Sequence, residues 1–140
     1  MEYKRQGNSI FVRIDRGEEV TEQIKAAAES ESVRLGTVQG LGAIDDFTVG
    51  LFNTAEKRYQ SNHFQGAFEI VSLTGTITTK DGAYYAHLHM SAGDEEGSCF
   101  GGHLNSARVS ATCEVVITVL EGRVERRFSE ETGLNLFCFD

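Results

Sequence analysis

The sequence predicts a single α+β domain in which a mostly antiparallel sheet packs against one main amphipathic helix. Three observations carry this expectation. The 140 residues suit one compact domain, residues 1–140, and 40% hydrophobic residues suffice for one core. One stretch alone repeats its apolar residues at helical spacing. The rest is a series of β-rich runs separated by turn residues, and one helix against many short-linked strands is the pattern of an α+β fold.

The elements follow in order. Ser9 to Asp15 reads SIFVRID, a strand. After Gly17, the residues Val20, Ile24, Ala27 and Ala28 fall at i, i+4, i+7 and i+8, one face of a helix. Glu18, Glu19 and Glu22 lie at its start, where negative charge suits the helix dipole. Val33 to Val38 is a strand candidate leading into Gly40-Leu41-Gly42, and Ile44 to Phe52 another. Lys57 to Phe64 is a weaker strand pattern, and Phe68 to Thr79 a strong one. Lys80-Asp81-Gly82 reads as the hairpin turn into a returning strand, Tyr84 to Ser91. Gly93 to Gly102 reads as a Gly-rich acidic loop. Val109 to Leu120 is a strong apolar strand, Glu121-Gly122 turns it into Val124 to Phe128, and Leu134 to Phe139 follows. With no Pro in the chain, turns fall to the 15 Gly and to Asn and Asp.

Charge and cysteine usage exclude several classes. The formal net charge is -8, whereas duplex DNA binding rests on Lys and Arg that neutralise phosphates. Tight direct binding of duplex DNA is therefore not expected. Arg123 to Arg127, with Glu125 inside it, is the densest basic stretch and reads as a solvated strand edge. Three copies of it around an axis would be the one route to a basic face. The three cysteines, Cys99, Cys113 and Cys138, form no C-x-x-C pair, and neither a secretory leader nor a membrane-length apolar run is visible. The expected setting is a reducing one, the cytoplasm. Gly40-Leu41-Gly42 resembles the start of a phosphate loop but lacks the third Gly and a following helix. No G-x-S-x-G motif is present.

The histidines carry the most specific chemistry. His87 and His89 sit two apart on a predicted strand, so they share a face about 6.6 Å apart along it. His103 returns after the Gly-rich loop, and Gly101-Gly102 before it allow backbone shapes closed to other residues. Three imidazoles in this arrangement can hold zinc or another divalent transition metal, with an open fourth position for water. The plain alternative is a strand whose outer face, Tyr85, His87, His89 and Ser91, meets solvent while Ala86, Leu88 and Met90 face the core. His63 reads as an ordinary half-exposed residue. Cys99 is either a fourth ligand or, more simply, a small residue beside a turn. Cys113 falls in a run that should be core. Glu69 and Glu114 are carboxylates inside apolar strands. Each is a candidate catalytic base for a metal-bound water, or a partner for a ligating imidazole, or an outward-facing strand residue.

Several segments together resemble the PPC domain, a domain shared by plants and prokaryotes and also catalogued as a domain of unknown function. Gly66 to Gly75 (GAFEIVSLTG) is similar to its G-x-F-E-I-x-S-L-x-G segment. His87-Leu88-His89-Met90-Ser91, Asp94, Gly97 and Gly101-Gly102-His103-Leu104 resemble its long histidine signature. Thr112 to Ile117 (TCEVVI) resembles the strand after it, and Gly40 to Ala43 its earlier G-x-G segment. The resemblance implies a PPC-like α+β fold, assembly as a homotrimer and, in some prokaryotic members, a metal at the histidine cluster. It also brings the family's DNA-binding label. In plant members AT-hooks make the DNA contact, and this chain has no R-G-R-P core and has Ala67 where an Arg is usual. Two classes of function stand side by side. One is a homotrimeric regulatory or binding module carrying a metal. The other is a zinc-dependent enzyme acting on a small molecule through a metal-bound water. No membrane partner is expected, no nucleotide fingerprint is visible, and a small-molecule ligand is compatible with either class.

Overall fold

A computed structural model describes residues 1–139. Eight strands form one sheet: β1 (Glu2–Gln6), β2 (Ser9–Asp15), β3 (Gly36–Asn53), β4 (Arg58–Lys80), β5 (Ala83–Gly93), β6 (Cys99–Val119), β7 (Glu125–Ser129) and β8 (Leu134–Cys138), with one helix, α1 (Val20–Ser30), after β2. The α+β expectation, mostly antiparallel with one main helix, describes this architecture. Among the described residues the single parallel pairing is between β4 and β7, at Thr79 and Glu125.

The helix is where the apolar spacing puts it. Val20, Ile24, Ala27 and Ala28 are buried and pack against β2 and β6. Glu19 caps its start: one carboxylate oxygen accepts from the Glu22 backbone N–H at 2.8 Å, and the other accepts from the Ala107 N–H at 2.8 Å. A single side chain thus satisfies an orphan helix donor and ties the helix to β6.

The strands are longer than the sequence pattern suggests. The two runs on either side of Gly40-Leu41-Gly42 are one strand, β3, with register shifts near Gly42 and Ile44 that absorb the irregular alternation. The runs Lys57 to Phe64 and Phe68 to Thr79 likewise join as β4, and β1 is an additional strand with every residue exposed, which carries no apolar alternation to reveal it. Gly93 to Gly102 is not all loop. Only residues 94–98 turn, held by the Asp94 carboxylate, which accepts from the backbone N–H groups of Glu96 and Ser98 at 3.1 and 2.8 Å. Cys99 to Gly102 already belong to β6 and pair with β5. Asp81 and Gly82, both at positive φ (53° and 77°), make the expected hairpin between β4 and β5.

Long strands let the sheet close. β3 pairs with β4 and β6, β4 with β5, and β5 with β6, so β3, β4, β5 and β6 form a complete circuit of antiparallel pairing. The core fills the curve of that circuit and the space beneath α1, with Ile10, Ile14, Ile24, Ile44, Phe47, Leu73, Ile77 and Ile117 fully buried. Each such side chain contributes about 1.5–3 kcal/mol of transfer free energy. Phe47 is the largest, stacked on Phe64 and edge-on to Phe68, with ring centroids 5.0 Å apart in both pairs.

Candidate metal centre

The three histidines meet where the circuit closes. His89 pairs in register with His103, and His103 pairs on its other side with Gly50 of β3. His87 lies two residues back along β5, on the same face as His89. Leu88, Met90 and Ala92, the alternate residues, are buried, as the core side of the strand should be. Gly101 and Gly102 provide room here, not unusual backbone shape. A Cβ on Gly101 would lie 2.7 Å from the Met90 carbonyl oxygen, and one on Gly102 would lie 2.5 Å from the Gly50 carbonyl oxygen. β6 can squeeze between its neighbours and deliver His103 because these two residues have no side chain.

The candidate ligand atoms of His87, His89 and His103 all lie within 4.8 Å of one another. The Nε2 atoms of His87 and His89 are 3.2 Å apart. Two nitrogens at 2.0–2.1 Å from one tetrahedral zinc would be about 3.3 Å apart, so this donor set fits such an ion. The same separation also suits a hydrogen bond in which one ring's N–H donates to the bare nitrogen of the other. Burial in the cavity wall, then the neighbouring His103 and His89 rings and the Arg126 guanidinium, holds the His87 imidazole below its ordinary value of 6.5. Burial and His89 do the same for His103. In both rings the shift favours the neutral form, the form that ligates a metal.

These rings open into a cavity of about 710 Å³, a size typical of small-molecule sites. Tyr59 stands on one side, edge-on to the His103 ring, and its hydroxyl donates to the Asn105 side chain. Tyr85 continues the histidine face of β5. The opposite wall comes from the end of β3, with Leu51 and Phe52, and from the β7–β8 hairpin, with Arg126, Leu134, Leu136 and Phe137.

Other sequence candidates lie elsewhere. Glu69 borders a shallow depression with Gly93 and Asp94, and Glu114 a separate hollow with Phe11, Arg13 and Leu41. Neither lines the histidine cavity, because β4 and β6 run far beyond it. Glu69 is five residues along β4 from Thr74, the register partner of His89, which is roughly 16 Å of strand. Cys99 pairs with Gly93, four residue pairs along the ladder from His103, or about 13 Å. Cys113 is buried, and burial pushes its thiol up to about 12. His63 is exposed and bonds the Asp46 carboxylate at 2.9 Å.

Arg126 corrects the reading of Arg123 to Arg127 as a solvated edge. Its neighbour Arg127 is exposed, but Arg126 is only 7% exposed and faces the cavity. A signal was present. Arg126 is in phase with Val124 and Phe128, so it occupies the apolar side of its strand.

A closed antiparallel sheet with one helix and three converging imidazoles defines the class: a small α+β protein with a candidate three-histidine metal centre. Comparison with known proteins gives the family. Residues 1–121 match the model of the Plants and Prokaryotes Conserved (PCC) domain, also called the PPC domain, and the chain belongs to that family. A candidate DNA-binding protein of Bacteroides thetaiotaomicron VPI-5482 is 32% identical, with a TM-score of 0.96 over 99% of this chain and 96% of that one. A metal-containing protein of Archaeoglobus fulgidus is 30% identical, with a TM-score of 0.89 and 99% of both chains covered. A PPC protein of Pyrococcus horikoshii is 29% identical, with a TM-score of 0.85 over 99% of this chain and 94% of that one. Among curated proteins, the bifunctional protein GlmU of Synechococcus sp. (strain JA-3-3Ab) is 27% identical over 125 residues, and the chain spans 19% of its length.

Proposed function

We propose that this protein is a homotrimeric metal-binding module in which His87, His89 and His103 hold one zinc or other divalent transition metal and present its open position to a small molecule. The observation that carries this reading is the convergence of three imidazoles on a cavity of ligand size. The Archaeoglobus relative, described as metal-containing, supports it. Bound there, the metal would supply a Lewis acid and an exchangeable coordination site. The protein's own part is to orient the three rings and to screen the site with Tyr59, Tyr85 and the β7–β8 hairpin. Metal analysis of protein purified without a histidine tag tests this. About one metal per chain is expected, falling to near zero in His87→Ala and His89→Ala; unchanged content in these variants would refute it.

The enzyme reading gains from the cavity over the open position. It loses from the lining, because among the described residues no Asp or Glu lines that cavity to serve as general base. A binding or regulatory role is therefore placed first. Support for self-association comes from one sheet face, where Phe11, Leu41 and Val71 are 51%, 57% and 62% exposed around adjoining hollows. Light scattering should report three copies, and a monomer mass at micromolar concentration would refute the trimer. Cys99 and Cys113 are free thiols, which suits the cytoplasm, and no helix among the described residues is long and apolar enough to cross a membrane.

Relatives carry a DNA-binding description, but direct tight binding of duplex DNA does not fit this chain. Asp and Glu outnumber Lys and Arg by 21 to 13. Arg5, Arg13, Arg58, Lys80 and Arg108 are already paired with carboxylates. A trimer of this chain would carry 3 × -8 = -24. Burial of Arg126 also removes it from any shared basic face.

A further inference from the structure

Arg126 is a buried cation with no anion paired to it among the described residues. At 7% exposure it is one of three buried polar or charged residues among those described, and the other two, Thr78 and Thr79, are neutral. A buried guanidinium is costly unless paired. None of the ion pairs among the described residues includes it. Its sequence neighbour Glu125 is turned away, accepting from the Thr79 hydroxyl at 2.9 Å and from the Gly82 N–H at 3.2 Å.

What holds Arg126 is neutral and fixes its orientation. Nε donates to Thr78 Oγ1 at 2.8 Å, Nη1 to the Asn135 carbonyl at 2.9 Å, and Nη2 to Thr76 Oγ1 at 3.3 Å. The Tyr85 and Phe137 ring centroids lie 4.7 and 4.5 Å from Cζ. Three of the five guanidinium N–H groups are used, so one on each terminal nitrogen remains. The charge also sits close to the histidines. Thr76 and Thr78, its partners on β4, are the register partners of His87 and Tyr85 on β5, and the field of Arg126 is felt at His87.

We propose that Arg126 is the anion-recognising residue of the histidine cavity, and that the cavity takes a small organic carboxylate. The carboxylate meets the two remaining N–H groups of Arg126, and the apolar body of the ligand lies against Leu51, Leu136 and Phe137. Two donors and apolar walls suit a singly charged carboxylate better than a doubly charged phosphate. The proposal rests on the metal-site reading for its second anchor, since a carboxylate held by Arg126 lies beside the three imidazoles. The recognition of charge is the work of Arg126 alone.

Calorimetric titration with 3-methylbutanoate and with its amide, 3-methylbutanamide, tests this on zinc-loaded and on metal-free protein. The acid is expected to bind more tightly than the amide in both forms. Arg126→Met should weaken binding of the acid about 10- to 100-fold, with zinc content unchanged. Arg126→Lys, which keeps the charge and loses the planar fork, should fall between the two. Failure of zinc to load would sink the metal reading, and the acid-against-amide comparison on metal-free protein would still decide the role of Arg126. Equal affinity for acid and amide, no binding of the acid at millimolar concentration, or tighter binding of inorganic phosphate would overturn the proposal. So would wild-type affinity in Arg126→Met. If that variant does not fold, the wild-type comparison and Arg126→Lys carry the test.

Discussion

Gly75 lies on β4 opposite Leu88, between the register partners of His87 and His89. Its backbone is ordinary, so the demand for glycine here is one of space. A Cβ at this position would lie 2.0 Å from the His87 carbonyl oxygen, 2.9 Å from the His87 carbonyl carbon and 2.8 Å from Leu88 Cδ2. Carbon and oxygen in contact sit about 3.3–3.6 Å apart, so β5 must move away by more than about 1 Å. Overpacking of this kind costs about 1–3 kcal/mol. Two weakened ladder hydrogen bonds add about 0.5–1.5 kcal/mol each. Gly75→Ala should therefore lose about 2–6 kcal/mol, which for a domain of this size lowers Tm by about 7–20 °C. Gly93→Ala is the control at the far end of β5. Its Cβ would meet nothing nearer than Val71 Cγ2 at 3.5 Å and Cys99 Sγ at 3.6 Å, ordinary contact distances. A change within about 0.5 kcal/mol is expected there. Calorimetric melting reads both, and metal content reads whether the displaced His87 can still serve the proposed metal site. A Gly75→Ala protein that melts within about 2 °C of the parent would refute the reasoning.

Three other outcomes follow from the same structure. Phe47→Ala removes a fully buried ring stacked on Phe64 and should cost about 3–5 kcal/mol in urea unfolding, with a loss under 1 kcal/mol contradicting its central place. The folded-state depression of His87 and His103 means that the unfolded chain takes up protons first, so metal-free protein should lose stability as pH falls through the ordinary value of 6.5. The melting temperature of the metal-free protein measured from pH 7.5 to 5 checks this, and a His87→Asn, His103→Asn double variant should flatten the slope; a parent curve already flat would contradict it. Fluorescence anisotropy with a labelled duplex at physiological salt should show at most weak, salt-sensitive association, and sub-micromolar binding would overturn the electrostatic argument.

Short-range periodicity made much of this fold legible. Val20, Ile24, Ala27 and Ala28 declared the helix, and the alternation of His87 and His89 with Leu88 and Met90 declared which side of β5 meets the core. What escaped was set at longer range. The joining of two apparent strands into β3, and two more into β4, depends on register shifts that interrupt alternation without ending pairing. Glu69 and Glu114 looked like site residues because they are acids in apolar strands, but only the extent of β4 and β6 decides which part of a strand reaches the cavity. Arg126 escaped for the opposite reason. Its acidic and basic neighbours suggested solvent, and the aromatic and hydroxyl groups that enclose it come from β4, β5 and β8.

The two walls of the cavity are held in different ways. The histidine wall belongs to the closed circuit, where glycines without space for a Cβ lock β5 and β6 together. The other wall is largely the β7–β8 hairpin, which lies beyond the 121 residues matched by the family model and joins the sheet through one parallel pairing. An isolated two-stranded hairpin is marginally stable in water. Here Glu125 reaches Thr79 and Gly82, and Arg126 reaches Thr76 and Thr78, so adjacent residues of opposite charge fasten β7 to the end of β4. In the proposed reading, the metal belongs to β5 and β6 and the recognition of the ligand to the hairpin.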